Sequence, residues 1–106
     1  MDLKKITLQL AEASENYAKV MTDLLPLEIE YQEKLDSAIL KAPGASQEMR
    51  SARANQIMRV DHKDLFEKYN IARLEAKLAY HKVEVLKIIS SNIKSIAYEG
   101  GDINGR

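Results

Sequence analysis

The sequence predicts an all-α protein, built as an elongated antiparallel helical hairpin or a three-helix arrangement with coiled-coil-like packing and expected to be oligomeric. Two long segments repeat apolar residues at spacings of three and four, which is the signature of helices that share a seam. The 106 residues include only four glycines and two prolines, and three of the glycines fall in the last seven positions. No stretch alternates as a convincing strand does. A single helical domain is therefore expected over residues 1–98.

The first helix is expected over about residues 3–41. Its apolar seam holds for about four heptads and comprises Leu3, Ile6, Leu10, Ala13, Tyr17, Val20, Leu24, Leu27 and Tyr31. Pro26 lies inside this run and removes one amide donor, which predicts a kink and not a clean stop. A turn is expected at residues 42–45, where Pro43 and Gly44 break the pattern, and Ser46 is placed to cap the next helix.

The second half, residues 46–98, is expected to be helical with a possible break near residue 61. Asp61 could cap a new helix there, and the alternative is one helix of about fifty residues. The glycine-containing residues 99–106 are expected to form a flexible tail.

Two apolar stripes run along the last helical segment, so its apolar arc is wider than one partner helix needs. The first is the expected core face, Leu65, Tyr69, Ala72, Ala76, Ala79, Val83, Leu86, Ile93 and Ala97, and the second comprises Ile71, Leu74, Leu78, Val85, Ile89 and Ile96. Self-association as a dimer or higher oligomer is therefore expected. Its interface is predicted at Leu74, Leu78, Val85, Ile89, Ile93 and Ile96.

Composition argues against an enzyme or a metalloprotein. The chain has no cysteine, and His62 and His81 are too far apart in sequence to share one helix face as metal ligands. The acidic stretch Glu28, Glu30, Glu33 and Asp36 has the spacing of a solvated helix face. We therefore expect no catalytic residues, no metal and no cofactor. No apolar run is long enough for a signal peptide or a membrane span, which favours a cytoplasmic protein without a membrane partner.

Charge is balanced over the whole chain, with sixteen basic and sixteen acidic residues, but it is divided along it. Residues 1–45 carry five basic and eight acidic side chains, whereas residues 46–98 carry ten basic and six acidic. One interpretation is that opposite charges flank an antiparallel seam and select the pairing. The other is a basic stripe that contacts DNA phosphates, formed by Arg50, Arg53, Arg59 and Lys63.

The overall layout resembles small coiled-coil helical proteins that are encoded in the early, recombination and replication regions of bacteriophages and whose function is not established. The resemblance lies in a heptad helix, a Gly-containing turn, the segment Ser46-Gln47-Glu48-Met49-Arg50-Ser51-Ala52-Arg53-Ala54, and the long helix around Ile71-Ala72-Arg73-Leu74-Glu75-Ala76-Lys77-Leu78. These proteins are often encoded near single-strand annealing recombinases. The resemblance implies a phage or prophage origin, in the host cytosol, and a role around DNA or host proteins. It carries over no catalytic residue.

Together these observations predict a non-enzymatic phage accessory protein that binds itself and, through a helical face, a host or phage protein of DNA metabolism or DNA itself. A structural coiled-coil adaptor or assembly factor is the alternative. An inhibitor of a host nuclease or defence system would have the same sequence features, since occlusion of a surface needs no catalytic signature.

Overall fold

The computed structural model describes the backbone of residues 2–104 and the side chains of residues 2–97. Three α-helices account for nearly all of this range: α1 (Leu3–Lys41), α2 (Gln47–Asp61) and α3 (Lys63–Asn104). No strand occurs in the described residues. The predicted all-α class is confirmed, in its three-helix form, while oligomerisation stays a prediction.

The apolar seam of α1 is confirmed along its whole length. Every one of its nine residues is buried or half-buried, and Leu35, Ala38 and Ile39 continue the covered face beyond Tyr31. The intervening positions of α1 are mostly exposed, as the spacing of three and four requires. Pro26 lies inside the helix without ending it.

The turn between α1 and α2 is fixed by local contacts. Ser46 has an extended backbone, and its hydroxyl oxygen accepts a hydrogen bond of 3.1 Å from the backbone N–H of Met49, as an N-cap does. A Cβ added at Gly44 would lie 3.2 Å from both the Cβ of Met49 and the Cγ of Arg50, so the close approach of α2 favours glycine there.

The break in the second half falls at His62, between α2 and α3. Asp61 is the last residue of α2, so it does not cap α3 as the sequence suggested. The His62 carbonyl oxygen instead accepts the backbone N–H of Phe66 at 2.8 Å, and Asp64 supplies the acidic side chain in the first turn of α3. Helix α3 continues to Asn104, beyond the expected boundary at residue 98. Gly100 and Gly101 weaken a helix but, unlike proline, keep the amide donor. Residues 105 and 106 of the expected tail lie outside the described residues.

The contacts of the chain divide it into two compact units, whereas the sequence predicts one domain over residues 1–98. Unit 1 combines the chain up to Val20 with the chain from Ala76 onward, and unit 2 is Met21–Glu75. Each unit has its own core, because a residue on a narrow helical seam contacts only side chains at its own level.

The core of unit 1 joins the first half of α1 to the second half of α3. Its buried residues are Ile6, Ala13, Val83 and Leu86, with Leu3, Leu10, Tyr17, Ile89 and Ile93 packed against them. Tyr17 meets Tyr80 with ring centroids 5.8 Å apart. Earlier residues of α1 therefore meet later residues of α3, so the two segments run antiparallel.

The core of unit 2 brings all three helices together. Its buried residues are Ala38, Ala42, Ala54 and Met58, and the half-buried side chains around them are Tyr31, Leu35, Ile39, Ile57, Leu65 and Phe66. Ala54 and Met58 are completely covered. They lie four residues apart, on the one face of α2 that meets α1 and α3.

Candidate interaction surfaces

The predicted basic stripe divides into residues with and without described roles inside the chain. The Arg53 guanidinium donates a hydrogen bond of 2.7 Å to the Pro43 carbonyl oxygen and so ties α2 to the turn. The Arg59 guanidinium lies 5.7 Å from the centre of the Phe66 ring, within the range of a cation–π contact. Arg50 and Lys63 are exposed. Two of the four predicted phosphate contacts are therefore partly engaged within the chain.

The acidic stretch of α1 does not pair with the basic stripe in the part of the chain whose side chains are described. The ion pair found there is Lys87–Glu84, at 3.4 Å and on one helix. Asp36 accepts a hydrogen bond of 2.8 Å from Gln32, its neighbour one turn earlier. The interpretation that these opposite charges select the helix pairing is not supported by any such contact. The burial pattern of the seam accounts for the pairing instead.

An aromatic cluster in unit 2 carries two arginines. Tyr31 stacks on Tyr69 with ring centroids 4.2 Å apart, and it meets Phe66 at 6.4 Å. The Arg73 guanidinium lies 5.3 Å from the Tyr69 ring centre. Burial raises the pKa of the Tyr31 hydroxyl above its ordinary value of 10.0, and Tyr69 adds to this, whereas Arg73 and Arg59 lower it. The rings face one another, so they form a packing cluster and not an open platform for nucleic-acid bases.

This cluster was only partly visible in the sequence. The seam spacing predicted that Tyr31 and Tyr69 face a partner helix, and the four-residue spacing of Tyr69 and Arg73 is a detectable signal. The contact of Arg59 with Phe66 crosses the break between α2 and α3, so helical periodicity does not reveal it.

An open cleft lies beside the α2–α3 junction of unit 2. Its charged lining alternates in sign, with lysines at 34, 63 and 68 and acids at 30, 61 and 64, around the half-buried His62. Over the described residues, no group of three or more His, Cys, Asp or Glu side chains is placed to hold a metal ion. The balanced charges give this cleft no strong preference for an ion of either sign.

One outward face of α1 in unit 2 carries exposed apolar side chains at four-residue spacing. Met21, Leu25 and Ile29 are all exposed. At 100° per residue, Glu28 lies about 60° to one side of Leu25 and Glu33 about 80° to the other. This surface, called the α1 face below, is an apolar strip with acidic edges.

The predicted oligomer interface divides into two groups. Ile89 and Ile93 are half-buried against the core of unit 1, so their own chain covers much of them. The others, together with Ile88, are each more than half exposed: Leu74, Leu78, Val85 and Ile96. The first stripe of α3 is covered as predicted from Leu65 to Ile93, whereas Ala97 is exposed.

Comparison with known protein families, with curated proteins and with solved structures finds no match of any of the three kinds. Among the residues searched, no helix combines the length and the apolar character needed to cross a membrane.

Proposed function

We propose that the protein is a non-enzymatic accessory protein that binds a protein of DNA metabolism through the α1 face. The observation that carries this proposal is the exposure of Met21, Leu25 and Ile29 along one helix face. Single exposed apolar residues are ordinary on protein surfaces, but a regular strip of them is typical of a surface that meets another macromolecule.

The acidic edges of the α1 face favour one chemical class of partner. Glu28 and Glu33 flank the strip, and Asp36 continues its line toward the end of the helix. A protein that binds DNA carries a basic surface, because it must neutralise phosphates. Such a surface complements this face, whereas DNA itself is repelled by it. The resemblance to phage early-region proteins favours the same class of partner and a phage or prophage origin.

Direct DNA binding has weaker support. Arg53 and Arg59 both make contacts inside the chain. Arg50 and Lys63 are exposed, and two lysine or arginine contacts give a small share of the electrostatic attraction that DNA-binding proteins use. DNA therefore stands as the second candidate partner.

The experiment is a titration of fluorescently labelled protein, followed by anisotropy, with a phage single-strand annealing recombinase and with short single- and double-stranded oligonucleotides. We expect saturable binding to the recombinase that weakens with added salt and is lost in Leu25→Glu. Leu8→Glu is the matched control, because Leu8 is as exposed as Leu25 (59% and 55%) but lies in unit 1.

Two outcomes contradict the proposal. Binding to oligonucleotides that Arg50→Ala/Lys63→Ala weakens and Leu25→Glu leaves intact would identify DNA as the partner. Absence of binding to the recombinase would contradict the proposed partner.

A further inference from the structure

The outward side of α3 carries a second heptad seam that no other part of the described chain covers. Helix α3 is continuous from Lys63 to Asn104, so positions along it are related by helical spacing alone. Exposed positions follow one another at spacings of four, three, four and three: Leu74, Leu78, His81, Val85 and Ile88. At 100° per residue this seam, called the α3 outer seam below, lies about 160° around the helix from the stripe that meets α1.

At the level of the buried Ala76 and Ala79, the α3 outer seam carries the larger, exposed Leu78 and His81. Ala76 and Ala79 are buried in unit 1, whereas Leu78 and Val85 are exposed. The hydrophobic effect is proportional to the apolar area removed from water, so covering the outer seam brings a substantial gain. A regular seam of this kind matches a straight helix as its occupant.

We infer that the α3 outer seam is the interface of a homodimer in which the α3 helices of two copies run antiparallel. In this arrangement Leu78 of each copy faces His81 of the other copy. Leu74 then faces Val85 of the other copy. Ile88 lies one layer farther out, at each end of the interface. The inference concerns a different surface from the α1 face, and it does not depend on the proposed partner.

The charges beside the outer seam select this arrangement. In an antiparallel pair of helices, each flank of the seam meets the same flank of the other copy. With Leu78 opposite His81, the first flank brings Lys77 next to Glu84 of the other copy. The second flank brings Glu75 next to Lys82 of the other copy. Because the pair has two-fold symmetry, each contact occurs twice and all four contacts join opposite charges.

Neighbouring arrangements bring like charges together. A shift of one heptad in one direction places Glu84 opposite Glu84 and Lys82 opposite Lys82. A shift in the other direction places Lys77 opposite Lys77 and Glu75 opposite Glu75. A parallel dimer places Lys77 beside Lys82 of the other copy. Repulsion thus disfavours each of these alternatives, which is how coiled coils choose partner and orientation.

The first test is the assembly state of the full chain, measured by sedimentation equilibrium at micromolar concentration and low salt. The wild type is expected to be a dimer and Leu78→Glu a monomer. Leu8→Glu is the matched control and is expected to remain a dimer, because Leu8 is exposed to the same degree (59% against 60%) on α1 of the same unit. Circular dichroism verifies that each variant is folded. A monomeric wild type, or a dimer that Leu8→Glu dissociates and Leu78→Glu does not, overturns the inference.

The second test is a charge exchange that keeps the composition. Lys77→Glu alone and Glu84→Lys alone each turn two attractive contacts into two repulsive ones, so each is expected to weaken the dimer about tenfold. The double variant Lys77→Glu/Glu84→Lys restores opposite charges and is expected to return within about threefold of the wild-type dissociation constant. Single variants without effect, or a double variant that is no tighter than either, overturn the proposed register.

The third test determines orientation. Because the natural chain has no cysteine, a disulfide formed by one introduced cysteine identifies the position that lies next to it in the other copy. Leu74→Cys mixed with Val85→Cys is expected to form a mixed disulfide under mild oxidation. Leu74→Cys alone is expected to stay uncrosslinked, since the two copies of position 74 lie about 16 Å apart along the axis, beyond disulfide reach. A disulfide between two Leu74→Cys chains indicates a parallel dimer and overturns the inference.

Discussion

Replacement of the buried Met58 by alanine tests the packing of α2, the shortest of the three helices. Met58 is fully covered and lies in the core of unit 2. The substitution removes three heavy atoms beyond Cβ. At about 0.8 kcal/mol for each buried methylene-sized group, the transfer term is about 2.4 kcal/mol. Since the surrounding side chains fill the space only partly, the total should be about 3 kcal/mol, within the range of about 2–5 kcal/mol for buried methionine.

The matched control is Met49→Ala on the same helix. Met49 is 46% exposed, so the same chemical change should alter the free energy of unfolding by less than about 0.5 kcal/mol. Urea denaturation followed at 222 nm, at one fixed protein concentration, measures both variants. Equal losses in the two variants would show that Met58 does not anchor α2 to the other helices, and the described core of unit 2 would be wrong.

Three further substitutions test separate features. Burial raises the pKa of Tyr31, so the folded state favours the neutral hydroxyl. This contribution to stability is complete below about pH 10 and is lost as the pH rises through the folded-state pKa. Above about pH 10, the free energy of unfolding of Tyr31→Phe should therefore fall less steeply than that of wild type, in denaturant titrations at several pH values; parallel curves would contradict this. Ser46→Ala removes the N-cap of α2 and should cost about 1 kcal/mol in the same assay, whereas an unchanged midpoint would mean that the cap is dispensable. Ala79→Leu should destabilise by about 1–3 kcal/mol because it overpacks a buried position, while the exposed Ala97→Leu should have little effect; equal tolerance would place Ala79 off the seam.

The sequence predicted the elements that depend on periodicity and on local chemistry. The α1 seam needs only the spacing of its apolar residues, and each of its nine positions is covered in the structure. The Ser46 cap likewise follows from a hydroxyl residue at the start of a helical pattern. The prediction that Asp61 caps the next helix was wrong. Two helices meet at His62 with a single residue between them, so the carboxylate belongs to the end of one helix and not to the start of the next.

Contacts that cross between elements could not be predicted from the sequence. The Arg53 contact with the Pro43 carbonyl oxygen joins residues ten positions apart through the geometry of the turn. Counting charges predicted ion pairs between the halves of the chain, but exposed pairs contribute only about 0–1 kcal/mol each and do not determine where helices pack. The sequence also placed Ile89 on the free stripe of α3, although its own chain covers much of it.

The choice between the two stripes of α3 depends on a quantity that periodicity does not contain, the distance between helix axes. In unit 1, the buried Ala76 and Ala79 let the backbone of α1 approach closely, and Ile6 and Ala13 of α1 are buried there as well. Packing on Leu78 in their place would hold the two helices farther apart at this level. The close-packed solution therefore covers these two alanines and leaves Leu78 exposed. That exposure is unfavourable for an isolated chain, and the proposed second copy would remove it.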